Sequence, residues 1–275
     1  MRRSRRATVV VYLLVALAVV VFMFPIAWLF LTSIKPSTLT FAYPPAFTFE
    51  PTLDHYVDVF GRSDFPRYLL NSVIVGTLST VTALTVAVPA AYALARLRLR
   101  ASGLLVAAAL IPQMLPVIVV VIPIYMIFRS VGLLDNIFAL AFTYLALTVP
   151  ISVWILYNFV RDLPVELDEA ALVDGATRFQ ILVRVILPLV RPGLAAAAVL
   201  CLLYTWNEFL YALILTAGGD DAKTAPVAIQ GFMTNKEILW GRMAAAGSVV
   251  LVPVLAFGIV AHRHLVRGLV SGSGK

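Results

Sequence analysis

Charge is scarce in this sequence. Asp, Glu, Lys and Arg make up 13% of its 275 residues, and hydrophobic residues make up 61%. Soluble domains carry about 25% charged and about 45–50% apolar residues. Mean hydropathy is +0.97. Too few polar side chains remain to cover a water-facing surface, which excludes a soluble globular enzyme. Cysteine is nearly absent: Cys201 alone excludes an intrachain disulfide, and its apolar setting reads as a small buried hydrophobe. His55, His262 and His264 have no Cys or carboxylate partner at metal-ligand spacing, so no metal centre is read. A phosphate-binding loop is missing. The terminal Gly268–Lys275 stretch approaches one, but its spacing is off by one and no Ser or Thr follows the lysine. No nucleophile motif and no internal repeat occurs, and the 15 Gly and 16 Pro follow no period.

What the sequence has is long apolar runs. About 20 apolar residues cross the hydrocarbon as a helix, and unbroken runs argue for helices over a strand barrel. Six stretches qualify: Val9 to Leu31, Leu70 to Ala95, Gly103 to Phe128, Ile137 to Val160, Gly193 to Thr216 and Met243 to Ala261. The expected fold is therefore an all-α membrane protein with six transmembrane helices. Pro112, Pro116 and Pro123 should kink or break the third span.

The net charge of +7 reads as topology rather than as nucleic-acid binding. Lys and Arg number fourteen on the side holding the N-terminus, the second-to-third loop, the fourth-to-fifth loop and the tail, against seven on the other. That bias places both termini in the cytoplasm. The first run is too long for a signal peptide and lacks a small-residue cleavage site, so it reads as a retained anchor. Of the external loops, Thr32 to Leu69 is irregular, proline-rich and mildly acidic. Ala217 to Arg242 opens on a turn cluster, Gly218-Gly219-Asp220-Asp221, and then carries apolar residues suited to folding back or meeting a partner.

The internal loop Arg161 to Arg191 is too polar to span and too long for a plain turn. Pro164 suits an early helical position, and Glu166, Asp168 and Glu169 favour a helix N-terminus. Ala170 and Ala171 favour the helix, Gly175 ends it, and Thr177 caps a second one. That second helix should be amphipathic along Phe179, Leu182, Val183 and Ile186 and should end at Pro188.

Glu169-Ala170-Ala171, then Gly175, then Val185-x-Leu187-Pro188 resembles the EAA loop of permease subunits of bacterial ABC importers, with Val185 where the family usually has Ile. Ala90 to Arg96, the Trp206-Asn207-Glu208-Phe209 segment and the Val266 to Gly272 ending are similar to segments of the carbohydrate-type group. The nearest likeness is the second permease of maltose- and trehalose-type importers. The resemblance implies a type I ABC importer (MetI-like) bundle. Its parts would be an N-terminal segment, first span and external loop at 1–66, a transport core at 67–262 with the EAA loop at 161–191, and a cytoplasmic tail at 263–275. It implies a non-catalytic permease of the bacterial cytoplasmic membrane. This chain would bind no cofactor, and ATP and Mg would be used by a separate ATPase. Expected partners are a second homologous permease, two ATPase subunits, an external solute-binding protein, the lipid bilayer and a sugar, with no nucleic acid. Coupling to the ATPase would fall to Glu169, Ala170, Ala171, Asp174, Gly175, Leu187 and Pro188. Arg267, Gly268 and Leu269 would contact the ATPase from the tail. Glu169 either pairs with a base on the ATPase or caps its own helix.

Charges inside spans are expensive and mark functional candidates. Glu208 lies roughly 6 Å beyond the middle of the fifth span at 1.5 Å per residue. With Asn207, and Trp206 as an aromatic face of the kind sugars stack on, it marks a substrate pathway. The competing reading is an interhelical hydrogen bond that holds the bundle. Asn71 and Asn158 lean to structure. Two other functions fit the same chain: an importer permease for glycerol-phosphate or another non-sugar solute, and an ion-coupled secondary transporter. The latter predicts more buried charges than one.

Overall fold

A computed structural model describes residues 5–97, 101–234 and 237–272, with side chains described for 9–97, 101–234 and 237–259. The described residues form helices α1 (Arg5–Ser33), α2 (Asp54–Gly61), α3 (Phe65–Arg96), α4 (Ser102–Leu110), α5 (Val117–Ser130), α6 (Ile137–Arg161) and α7 (Glu166–Val173). They continue as α8 (Arg178–Ile181), a π turn (Leu182–Ile186), α9 (Leu187–Leu189), α10 (Arg191–Asn207), α11 (Leu210–Leu215), α12 (Ala225–Gln230) and α13 (Trp240–Gly272). Four helices are long and apolar enough to cross a membrane alone: 9–33, 65–96, 137–161 and 240–259. Two bent pairs raise the number to as many as six, namely 102–114 with 117–130 at 84°, and 178–189 with 191–207 at 79°.

The first bend falls where the prolines predict it. Pro112 sits in a 3-10 turn over Ile111–Met114, Leu115 turns extended, and Pro116 leads into α5. One expectation needs correction. The fifth span is not one helix from Gly193 to Thr216: α10 ends at Asn207, Glu208 is extended, and α11 starts at Leu210. Seventeen helical residues reach about 26 Å, short of the roughly 30 Å of hydrocarbon, so α11 is needed to complete the crossing. Pro188 marks the end of the second loop helix as expected, since that helix stops at Leu189 and the chain turns by 79° into α10. A proline lacks the N–H and crowds the carbonyl four residues back. Here the preceding turn widens instead, and the Leu187 N–H donates to the Leu182 carbonyl.

The chain folds as two compact units, 1–66 with 228–252, and 67–227 with 253–275. In the first, α1 is apolar all round from Val9 to Leu31, and Tyr12, Phe22 and Phe24 stand 61–72% exposed, as suits a helix facing lipid. The loop after it is more ordered than its sequence suggests. The Tyr56 hydroxyl lies 2.8 Å from both the Ser33 and Ser248 hydroxyls. Asp58 binds Arg62 at 2.8 Å and Arg242 at 2.7 Å. Lys35 is buried with its ammonium over the Trp28 and Phe49 rings at 5.1 and 5.3 Å.

The second unit holds three apolar clusters. One gathers Val75, Val121, Leu140, Tyr144, Tyr211 and Leu215 from α3, α5, α6 and α11. A second packs Ala87 and Ala91 of α3 against Val106, Val153, Leu156 and Tyr157. Small residues let these helices approach closely, which substitutes for a hydrophobic drive that lipid does not supply. The third lies beneath the Arg161 to Arg191 loop. Asn136 begins α6 by accepting from the Phe138 and Ala139 N–H groups at 2.9 and 3.0 Å. Cys201 is buried and within hydrogen-bonding distance of Ser152, as its apolar context implies.

Candidate functional site

Two places in the second unit carry the residues singled out in the sequence. The first is the elbow formed by α7, the Gly175 bend and α8. Gly175 has φ +80°, a conformation in which a side chain is strained, so glycine is what the bend requires. Thr177 and Gln180 form a reciprocal capping box that starts α8. Below the elbow, Ile181, Leu182, Ile186 and Val190 pack on Tyr92 and Val160, with Ala171, Val185 and Leu187 against them. The buried stripe thus differs from the expected one: Phe179 is 73% and Val183 is 42% exposed. Ile181, Leu182, Val185 and Ile186 make the inward face, a stripe of the same helical period turned toward Tyr92 and Val160.

Glu169, Ala170, Asp174 and Gly175 are exposed, while Pro188 is half-buried. Val165, Leu172, Val173 and Phe179 lie bare around them, Val173 at 87%. The opposite side of α7 holds a contact that the sequence reading missed. The Arg96 guanidinium donates from Nε to Asp168 Oδ2 at 2.9 Å and from Nη2 to the Leu163 carbonyl at 2.9 Å. The Tyr92 hydroxyl donates to Asp168 Oδ1 at 2.9 Å. Both charged side chains are nearly sealed, at 4% and 3% exposure. By sequence Arg96 is one of the second-to-third loop cations that set topology, and the structure instead commits it to Asp168. Helical spacing held the signal, since Asp168 lies three residues before the inward-facing Ala171 and so shares its face.

The second place is the break between α10 and α11. An open groove of about 560 Å³ is lined by Ile151, Leu203, Tyr204, Asn207, Glu208 and Phe209, among others. Glu208 does not project freely into it. Its Oε2 accepts from the Tyr144 hydroxyl at 2.7 Å and the Ala212 N–H at 3.1 Å, and its Oε1 accepts from the Tyr211 N–H at 2.9 Å. The carboxylate thereby satisfies N–H groups that the first turn of a helix leaves open. Asn207 is exposed and donates to the Leu203 carbonyl at 2.7 Å. Trp206 does not join them: it is 3% exposed, with its ring edge-to-face with Phe257 at 6.1 Å. The aromatic rings lining the groove are Phe209 and Tyr204, the latter 45% exposed. Tyr144 and Tyr204 escaped the sequence reading because apolar runs contain many aromatics and nothing local distinguishes these two.

Asn71 donates to the Asp221 and Lys223 carbonyls, and among the described residues the Asn158 side chain bonds within its own helix, to the Trp154 carbonyl. The tail residues Arg267, Gly268 and Leu269 belong to α13, but their side chains lie outside the described residues. Among the described residues, no group of three or more His, Cys, Asp or Glu is placed to hold a metal ion.

A groove open on one side and an elbow with bare apolar side chains belong to a helical transport subunit that other chains complete. The chain belongs to the family of the binding-protein-dependent transport system inner membrane component, whose family model matches residues 83–271. Among its relatives is a probable ABC transporter permease protein, y4oR, of Sinorhizobium fredii. The two are 38% identical over 255 residues, 93% of this chain and 91% of that one. The trehalose transport system permease protein SugB of Mycobacterium tuberculosis is 38% identical over 253 residues, 91% of this chain and 92% of that one. The fold resembles a chain in the crystal structure of a bacterial ABC transporter involved in the import of the acidic polysaccharide alginate. The TM-score is 0.79 at 22% identity, over 96% of this chain and 99% of that one. The protein is thus a multi-pass membrane permease subunit of an ABC importer, homologous to permeases of carbohydrate importers. Membership implies a partner permease, ATPase subunits and a solute-binding protein.

Proposed function

We propose that this chain and a second, homologous permease line an alternating-access pathway for a sugar that an external binding protein delivers. Two ATPase subunits would bind from the cytoplasm, with both termini of this chain on that side. The transport core is 67–262. The elbow from Glu169 to Gly175, with Leu187 and Pro188 in the segment that follows, passes ATPase movement to the spans. Asn207 and Glu208 mark the pathway, with Asn207 on its wall and Glu208 holding the break beside it, while Trp206, buried against Phe257, packs behind them. The Ala217 to Arg242 loop reaches the binding protein, and Arg267, Gly268 and Leu269 meet the ATPase. The sugar reading rests on the trehalose named for one relative and on the sequence segments shared with carbohydrate permeases.

The observation that carries the coupling role is the bare apolar rim. Val165, Leu172, Val173 and Phe179 surround exposed Glu169 and Ala170 on a polar loop, where a solvated linker would not place them. Such a patch marks a surface for another protein. The test is Ala170→Arg in the importer reconstituted with its ATPase and binding protein. The expected result is loss of ATPase association and of ATP-driven uptake, with normal membrane insertion. Unchanged association and uptake would overturn the assignment.

A further inference from the structure

The contacts of α3 at its two ends suggest more than a spanning role. At its C-terminal end, Tyr92 and Arg96 grip Asp168 of the elbow, and Arg96 also holds the Leu163 carbonyl. Near its N-terminal end, Asn71 donates from one amide nitrogen to two carbonyls of the 217–225 loop, Asp221 at 2.8 Å and Lys223 at 2.9 Å. Ser72 accepts from the Ala225 N–H at 2.8 Å. Arg67 forms an ion pair with Asp221 beside them. Asn71, Ser72, Tyr92 and Asp168 are all buried. Asn71 and Arg96 lie about 38 Å apart along one helix.

The loop gripped at the far end is itself rigid. Asp135 Oδ2 and Oδ1 accept from the Asp221 and Ala222 N–H groups at 2.9 and 2.8 Å. A side chain on Gly219 would strike the Asp135 carboxylate. The Gly-Gly-Asp-Asp cluster is therefore not a slack hinge. Between the two grips, α3 presents Ala83, Ala87 and Ala91, which are fully buried. Small side chains spaced four apart make one smooth stripe, along which a helix can shift without unlocking large side chains.

We infer that α3 is a connecting rod, with Arg96, Tyr92 and Asp168 as the joint to the coupling elbow and Asn71 as the joint to the 217–225 loop. Movement of the elbow is passed along α3 to the loop proposed to meet the binding protein, and binding-protein contact is passed back to the elbow. Arg96, Asp168 and Asn71 are positioning residues: they touch neither nucleotide nor solute. The inference rests on the coupling role proposed for the elbow, and linkage requires that the signal run both ways.

The experiment uses the complete importer in liposomes and measures basal ATPase activity, its stimulation by loaded binding protein, and uptake. Asp168→Asn and Asn71→Leu, at opposite ends of the rod, should each leave assembly and basal ATPase intact. Each should cut the stimulated-to-basal ratio by about 5- to 150-fold, the ordinary span of allosteric coupling. Arg96→Lys should restore part of the ratio relative to Arg96→Gln, since a lysine keeps the charge but not both hydrogen bonds. A role in stability alone would lower the amount of complex without changing that ratio. Full stimulation in both Asp168→Asn and Asn71→Leu overturns the rod, while loss of ATPase association in Ala170→Arg would leave the elbow reading standing. If Asp168→Asn does not assemble, Arg96→Lys and Asn71→Ser decide the matter, and an unchanged ratio in both overturns the inference.

Discussion

Replacing Glu208 with glutamine separates a structural role from a solute-binding one, because the side chain keeps its size while one acceptor oxygen becomes a donor. Oε2 serves two donors, the Tyr144 hydroxyl and the Ala212 N–H, and Oε1 serves the Tyr211 N–H. The amide oxygen of the introduced glutamine has two lone pairs and best takes the Oε2 position. Its NH2 then faces the Tyr211 N–H, donor against donor. One hydrogen bond to a charged acceptor is lost, at about 1.5–3 kcal/mol. Tyr144→Phe removes one donor and leaves both N–H groups served. Membrane-embedded side-chain pairs average about 0.6 kcal/mol and hydrogen bonds to charged groups more, so about 0.6–2 kcal/mol is expected. Glu208→Ala strips all three bonds and should cost about 3–6 kcal/mol. The expected order of stability is wild type, Tyr144→Phe, Glu208→Gln, Glu208→Ala. Thermal unfolding of the purified complex, read by tryptophan fluorescence, measures it, and the double variant Tyr144→Phe/Glu208→Gln should be less destabilised than the sum of its parts. The reasoning fails if Glu208→Gln melts with the parent while uptake falls tenfold. The carboxylate would then act on the solute and not as the cap of α11.

Three further outcomes follow from close contacts. A Cβ on Gly193 would lie 2.5 Å from the Phe159 ring, so Gly193→Ala should destabilise the α6–α10 packing by about 1–3 kcal/mol, and Phe159→Leu should recover part of that melting loss. Gly219→Ala should free the 217–225 loop, because the new methyl overlaps the Asp135 carboxylate; faster tryptic cleavage after Lys223 is the readout, and an unchanged rate would contradict the tight fit. The hydrogen bond and charge of Lys223 hold the Asp220 carboxyl below its ordinary pKa. A depressed folded-state pKa gives a contact that is present above the unfolded value and lost as pH falls through the folded one, so the pair should weaken only in strong acid. Lys223→Met should move the Asp220 titration, followed by carbon NMR of labelled aspartate, back toward the usual carboxylate range.

Four of the six apolar stretches became single helices close to their expected bounds, because a run of apolar residues in lipid has few alternatives to a helix. Pro112 and Pro116 likewise announced the break in the third span, since ring geometry acts locally. The elbow was legible for the same reason: Gly175 and the Thr177–Gln180 box are instructions confined to a few residues. The break at Glu208 was not. No proline or glycine marks it, and the interruption is sustained by a carboxylate whose third partner, Tyr144, lies 64 residues away. The buried face of the second loop helix was not legible either, because the Phe179, Leu182, Val183, Ile186 stripe and the Ile181, Leu182, Val185, Ile186 stripe fit a period of 3.6 equally well and only the packing on Tyr92 and Val160 chooses between them.

Composition and local spacing by themselves determined that this protein is helical, lies in the membrane, and carries a capped elbow in one polar loop. These are properties of solvent and of short stretches of backbone. Only the tertiary structure decided what the few charges do. Arg96 and Asp168 look like an ordinary loop cation and one of three acids in a first turn, yet they meet, nearly sealed from solvent, across 72 residues of sequence. Glu208 looks like a free intramembrane charge, yet it is committed to a helix end. The reason is that burial of a charge is tolerated only with a partner, and partners are chosen by distance in space, which separation along the chain does not reveal.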